Sequence, residues 1–172
     1  MLRIAFLGAL ALSLCAAYTR HTNIKCEVLN KTMGEIPVCK LKVLGRGKIG
    51  ANVQVKMYNP PAYNITLNFS IWRKLNGYHP FLFNITVDFC HYMKHPNPMQ
   101  VFYYFHRAFM PYSNMNHTCP YDHDVIINNF VLADDMFDKV PVPKGSYMFN
   151  LRISANSIWA AQINAYLDID VR

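Results

Sequence analysis

The chain lacks a segment that could serve as a transmembrane helix. Its one long apolar run extends from Ile4 to Leu14 and ends in Cys15-Ala16-Ala17. A bilayer span needs about 20 consecutive apolar residues. A shorter run that follows a basic residue and ends in small residues is typical of a secretory signal peptide. We therefore predict a signal peptide over residues 1–17, a mature chain over residues 18–172, and a secreted, extracellular protein with no transmembrane segment.

Repeats, low-complexity tracts and Pro/Ser-rich linkers are also absent, so nothing divides the chain into two domains. The mature chain of about 155 residues is long enough for a single domain with a hydrophobic core. Acidic residues are few, with 10 Asp and Glu against 17 Lys and Arg. Because the basic residues are scattered and the predicted compartment is extracellular, we predict no nucleic-acid partner.

Motifs of enzymatic chemistry are missing as well. Ser113 and His117 could be grouped with Asp122 or Asp124, but no Gly-x-Ser-x-Gly elbow surrounds the serine. The chain has no phosphate-binding glycine loop. These absences predict that the protein is not an enzyme and has no catalytic residues and no cofactor.

Histidines and cysteines form two loose groups, but neither has the spacing of a zinc site. His91 and His95 follow Cys90, and His117 and His123 flank Cys119. Pro96 interferes with a helix that would align His91 with His95, and both cysteines are needed for a disulfide bond. We therefore predict no metal site.

What the chain does contain is a set of four cysteines, because removal of the signal peptide also removes Cys15. An even number of cysteines in an oxidising compartment predicts two disulfide bonds. Of the three connectivities, we favour Cys26 with Cys39 and Cys90 with Cys119, because each pair brackets one local excursion of the chain.

Five Asn-x-Ser/Thr sequons indicate passage through the secretory pathway. They predict N-glycosylation, and hence surface positions, at Asn30, Asn64, Asn68, Asn84 and Asn116.

Hydrophobic periodicity predicts a mostly β protein. Tyr63 to Ile71 and Phe81 to Cys90 alternate apolar and polar residues, and the sequons fall in the polar sets. The Asn76-Gly77 turn signal between them predicts an antiparallel pair, with a link that extends to Pro80. Further strands are predicted at the following segments: Thr22–Val28, Val38–Leu44, Ala51–Met57, Asp124–Val131, Tyr147–Ile153 and Ala161–Val171. About eight short strands favour a sandwich.

One segment has helical periodicity instead. Asn97-Pro98 supplies a cap and a first-turn proline, and apolar residues then recur at helical spacing from Val101 to Phe109, before Pro111. This pattern predicts one short amphipathic helix. It would either cover an open end of the sheet or form a wall of a ligand cavity.

Three segments resemble a known protein family: Leu75–Cys90, Pro111–Asp124 and Pro141–Tyr147. They are similar to segments of a large insect family of small secreted domain-of-unknown-function glycoproteins, and the likeness extends from about Thr22 to the C-terminus. That family is similar to the MD-2-related lipid-recognition (ML) superfamily and to CheB-type chemosensory proteins. The resemblance implies an immunoglobulin-like antiparallel β-sandwich, and a lipid, sterol or pheromone-like ligand or a modulating role on a receptor or channel.

We therefore expect a secreted binding protein for a small apolar ligand, with a function in chemosensation as one candidate. The inward residues of the longest strands and of the helix form the predicted pocket: Phe69, Ile71, Phe83, Ile85, Phe102, Phe105, Phe149 and Leu151. The alternative is a ligand-free extracellular interaction module that modulates a receptor or another partner protein. A hollow core would favour the first hypothesis, and a filled core would favour the second.

Overall fold

The computed structural model describes residues 17–45, 47–137 and 142–171. This part of the chain forms eight strands: β1 (Ala17–Val28), β2 (Gly34–Gly45), β3 (Lys48–Met57), β4 (Ile65–Lys74), β5 (Tyr78–Asp88), β6 (Val125–Val131), β7 (Gly145–Ala155) and β8 (Ile158–Val171). It also forms helices α1 (Phe89–Lys94) and α2 (Val101–Phe109) and two 3-10 helices (Met110–Tyr112 and Asp134–Phe137). The predicted signal peptide over residues 1–17 lies, except for Ala17, outside the described residues.

The strands form two antiparallel sheets, which confirms the predicted mostly β sandwich. One sheet has five strands in the order β1-β8-β7-β4-β5, and the other has three in the order β2-β3-β6. Each of the eight predicted strands corresponds to one of these elements. Alternation of apolar and polar residues was sufficient to locate them because each sheet has one face toward the core and one toward solvent.

The β4–β5 hairpin agrees with the predicted antiparallel pair, but its link is shorter than expected. Only Leu75, Asn76 and Gly77 join the two strands, and Gly77 has a φ of 137°, which favours glycine. Pro80 is not part of the link and lies within β5 instead. An edge strand tolerates proline because one of its sides makes no ladder hydrogen bonds.

Two boundaries of the hairpin differ from the predicted ones. Tyr63 precedes β4 and is 68% exposed, so it does not belong to the inward set that begins at Ile65. Cys90 belongs to α1 and not to β5, because the Asp88 carboxylate accepts a hydrogen bond from the His91 amide at 2.9 Å and starts a helix. The structure therefore adds a short helix before the predicted one.

Helix α2 is the predicted amphipathic helix, but its start is different. Asn97 and Pro98 precede the first helical residue, Val101, by several positions, and the N-cap residue is Gln100. The Asn97 side chain instead accepts a hydrogen bond from the Met99 amide at 2.9 Å, which closes a separate turn. Phe102 and His106 are the buried residues of this helix.

Two disulfide bonds connect Cys26 with Cys39 and Cys90 with Cys119, which confirms the favoured pairing. The first joins β1 of the larger sheet to β2 of the smaller one. The second joins α1 to the segment before β6. None of the helices in the described part of the chain is long and apolar enough to cross a membrane.

Candidate functional site

The space between the two sheets is incompletely filled. Tyr147, on the inner face of β7, is 0% exposed. The next three inward residues of the same strand, Phe149, Leu151 and Ile153, are only partly buried although the strand is central in its sheet. Side chains of a close-packed core leave few voids. Their partial exposure is explained by two cavities that they border.

The first cavity, which we call the aromatic cavity, has a volume of about 130 Å³. It lies between β1, β4, β7 and β8 on one side and β3 and β6 on the other, and α2 and the 3-10 helix Asp134–Phe137 cover it. Its aromatic and histidine walls are His21, Phe69, Phe102, Tyr104, Phe105, Phe109, Phe130, Phe137 and Phe149. The Phe69 ring contacts those of Phe105 and Phe149, with centroids 4.6 and 5.8 Å apart.

The second cavity, which we call the aliphatic cavity, has a volume of about 80 Å³. Its walls come mostly from strand residues, for example Val55, Ile65, Leu67, Ile153 and Ile163. Polar side chains are found at its rim, where Lys56 and Glu35 form an ion pair with an N–O distance of 3.1 Å. Both partners are about half exposed, so this pair contributes little to stability.

The two cavities are separated by a thin partition. Five residues line both of them: Val53, Phe109, Met115, Ile127 and Leu151. The partition is therefore about one side chain thick. Methionine and leucine can change rotamer without a change in the backbone, and methionine is especially adaptable. A chain-like ligand longer than the aromatic cavity could extend through this partition.

Five of the eight residues predicted as pocket wall line the aromatic cavity: Phe69, Phe102, Phe105, Phe149 and Leu151. The other three do not line either cavity. Ile71 is 1% exposed and packs in the core, and Phe83 and Ile85 pack against that core from the edge strand β5. The five residues that line the cavity come from β4, β7 and α2, whereas the three that do not come from the edge strand β5 and from the far part of β4.

Several wall residues were absent from the predicted pocket. Phe109 follows the helical pattern and could have been included with Phe102 and Phe105. Phe130 and Phe137 belong to a short strand and a 3-10 helix, where periodicity is too short to assign a face. His21 lies one residue before the predicted start of the first strand, and no sequence pattern assigned it to the pocket.

Behind α2, a buried polar pair anchors the helix to α1. The Tyr92 hydroxyl and His106 Nδ1 are 3.1 Å apart, and both residues are buried among aromatic rings. Burial raises the pKa of Tyr92 to about 12 and lowers the pKa of His106. Both groups are therefore neutral at physiological pH. Neither residue lines the cavities.

Ser113 and His117, which were considered for catalysis, form hydrogen bonds with other groups. Ser113 Oγ donates to the Met110 carbonyl at 3.3 Å. His117 uses Nδ1 with the Thr118 carbonyl at 2.7 Å and Nε2 with Nε2 of His123 at 2.8 Å. This serine and this histidine therefore do not form a nucleophile–base pair.

The residues considered for metal binding remain in small groups. The rings of His91 and His95 have centroids 5.2 Å apart, and Cys90 and Cys119 are joined in a disulfide bond. Across residues 17–45, 47–137 and 142–171, no group of three His, Cys, Asp or Glu side chains could hold a metal ion.

Residues 67–149 match a family model described as Protein of unknown function (DUF1091). This match supports the resemblance to a domain-of-unknown-function family. It covers just under half of the chain, from β4 to β7, and includes α2 and most of the aromatic wall. Strand β1, with His21, lies outside the DUF1091 match. No curated protein gives a significant sequence match to this chain.

Proposed function

We propose that the protein is a secreted carrier or sensor of a small, slender apolar molecule, which it binds between its two sheets. The aromatic cavity is the observation that carries this proposal. Its walls are almost entirely hydrocarbon and aromatic. The inner side chains of β7 border empty space where a filled core would have contacts from the opposite sheet. Burial of apolar surface in such a cavity is the dominant favourable contribution to binding.

The size of the cavities limits the ligand. A hydrocarbon-lined cavity of about 150 Å³ stays dry and binds benzene, and the aromatic cavity, at about 130 Å³, is comparable. Pockets for drug-sized ligands are usually several hundred Å³ in volume. An unbranched chain fits this space better than a rigid fused-ring sterol, since the chain can also use the aliphatic cavity across the partition. The resemblance to lipid-recognition and chemosensory proteins supports the same ligand class.

The proposal includes secretion and N-glycosylation. The two disulfide bonds support an oxidising compartment. Of the five sequon asparagines, Asn64, Asn84 and Asn116 are exposed and Asn30 and Asn68 are partly exposed. Asn68 Nδ2, the atom to which a glycan would be attached, donates a hydrogen bond to Asn84 Oδ1 at 2.8 Å. These two neighbouring sites on the outer face would carry glycans away from the cavities.

Native mass spectrometry of the secreted, enzymatically deglycosylated protein tests the proposal directly. We expect a bound small molecule at a ratio of one per chain, which organic extraction releases. After delipidation, we expect the protein to bind the apolar fluorophore N-phenyl-1-naphthylamine and to release it when 1-octanol is added.

Two variants distinguish cavity binding from adsorption to the surface. Ala165→Leu adds three carbon atoms to the wall of the aromatic cavity and should lower fluorophore binding at least tenfold. Ala133→Leu makes the same chemical change at an exposed position and should leave binding unchanged. A protein that carries no small molecule and binds no apolar probe would refute the carrier proposal and favour the ligand-free interaction module.

A further inference from the structure

His21 is a buried polar residue in the wall of the aromatic cavity. Its side chain is 1% exposed, and neither Nδ1 nor Nε2 has a hydrogen-bond partner. The ring packs edge-on against Phe130, with centroids 5.5 Å apart. The Phe130 backbone opposes the decrease in the pKa of His21 that burial causes, but neither ring nitrogen makes a hydrogen bond with it. A buried polar group that lacks partners destabilises a fold by about 1–3 kcal/mol, so its presence here requires an explanation.

A β-bulge gives His21 its position. The register of β1 against β8 shifts between His21 and Asn23. As a result, Thr22 and Asn23 are both exposed, and His21 and Ile24 both line the aromatic cavity. A regular strand would place only one of His21 and Ile24 on this face, because successive side chains alternate. Bulges often redirect a side chain next to a functional site.

From this placement we infer that the ligand is an apolar molecule with one neutral hydroxyl group, which forms a hydrogen bond with His21 inside the aromatic cavity. The inference rests on the proposed carrier function and specifies its ligand class. It assigns to His21 the role of the residue that determines polar specificity, while the aromatic side chains hold the hydrocarbon part.

The chemistry of the wall favours a hydroxyl over other polar groups. Burial lowers the pKa of His21 to about 4, so the ring is neutral and has one donor and one acceptor nitrogen. A hydroxyl can both donate and accept, and therefore matches either nitrogen. Among the described residues that line this cavity there is no Lys or Arg. A carboxylate would be buried without a counter-ion, which is strongly unfavourable.

Competition against N-phenyl-1-naphthylamine with three ligands of similar length tests the inference: 1-octanol, nonane and octanoate at pH 7.5. For the wild-type protein we expect 1-octanol to bind about tenfold more tightly than nonane, and octanoate to bind most weakly. Tightest binding by octanoate would overturn the inference, because it would require a charged partner in the wall.

Two substitutions of His21 separate recognition from a structural role. His21→Leu should bind nonane like the wild type but lose the preference for 1-octanol, and it should be at least as stable, because it removes an unpartnered polar group. His21→Gln retains a donor and an acceptor and should restore much of the preference. If His21→Leu unfolds more easily and both variants keep the wild-type preference, His21 is structural and the inference is wrong.

The outcomes also separate this inference from the carrier proposal. Binding of all three ligands with equal affinity by wild-type and His21→Leu protein would leave the carrier function intact and overturn only the role of the hydroxyl. Failure of the wild-type protein to bind the fluorophore and every ligand would overturn both.

Discussion

The two cavities lie between the same sheets but are enclosed in different ways. Three wall residues of the aliphatic cavity, Val28, Phe89 and Tyr121, are each within two residues of a bonded cysteine, whereas the aromatic cavity has one such residue, Ile24. The aromatic cavity is covered by the 3-10 helix Asp134–Phe137 and by α2, which lies within the loop that the Cys90–Cys119 bond closes. Both helices rest on its rings through noncovalent contacts. Short surface helices of this kind can open locally at a lower free energy than the strands of the core. Ligand entry is therefore expected at the aromatic end.

Removal of the disulfide bond at α1 should have the largest effect on stability. Cys90 and Cys119 are 29 residues apart, and the chain-entropy relation gives a contribution of roughly 3–4 kcal/mol for a loop of that size. We expect the double variant Cys90→Ala, Cys119→Ala to lose about that much in urea unfolding. The shorter Cys26–Cys39 loop should contribute about 3 kcal/mol.

Ligand binding by these disulfide variants tests the comparison between the cavities. Under conditions where each variant is folded, 1-octanol affinity should remain within about threefold of wild type, because none of the four bonded cysteines lines the aromatic cavity. If the Cys90→Ala, Cys119→Ala variant loses more than tenfold in 1-octanol affinity, the residues that determine binding lie near this disulfide bond, at the aliphatic cavity.

Acid should destabilise the folded protein because it protonates His21 in the wall of the aromatic cavity. An ordinary histidine has a pKa of 6.5, and burial lowers that of His21 to about 4. Between these values the unfolded state binds more protons than the folded state. The stability that the protein has with a neutral His21 ring is therefore fully present above pH 6.5 and is lost as the pH falls to about 4, by roughly 3 kcal/mol.

Urea unfolding at pH 7.5 and pH 4 measures this loss. His21→Leu should remove most of it, and the remainder should include a contribution from His106, whose pKa is also lowered by burial. Exposed His79 provides a control, since His79→Gln should not change the acid sensitivity. An equal loss in wild-type and His21→Leu protein would contradict the buried, neutral state of His21.

The fold was predictable from the sequence to a greater extent than the site. Alternation located the strands because it persists over five or more residues, as in Ile65 to Ile71. The strand-to-helix change at Asp88 was not predictable, because Phe89 and Cys90 continue the apolar alternation while a cap hydrogen bond and a disulfide bond favour the helix. For the site, the bulge that places His21 and Ile24 on one face depends on pairing with β8, which no local pattern encodes.

Leu151, in the partition, allows the separation of the cavities to be tested. Leu151→Ala should lower the free energy of unfolding by about 2 kcal/mol, at the lower end for such truncations because the side chain is only partly buried. It should also connect the cavities, so that 1-dodecanol gains affinity relative to 1-octanol. Ile153→Ala, at the next inward position of β7, enlarges only the aliphatic cavity and should leave this ratio unchanged. An equal shift in both variants would show that the partition does not limit chain length.

The smallest expected effect is the most direct test of whether the aromatic cavity is empty. Ala165 and Ala161 are both on the inner face of β8, but Ala165 is partly exposed to the aromatic cavity and Ala161 is 2% exposed. Leucine at position 165 would extend into empty space, and the apolar area that it buries should stabilise the apo protein by about 1 kcal/mol.

Ala161 borders the smaller aliphatic cavity, but it is 2% exposed and so has little of that space directly beside its side chain. Overpacking at such a position typically costs about 1–3 kcal/mol. The two substitutions are chemically identical and lie on one strand, so opposite signs in thermal or urea unfolding would reflect the difference in free space around the two residues. If both variants are destabilised to the same extent, the inner face of β8 is packed throughout, and the aromatic cavity cannot accept a ligand without displacement of α2.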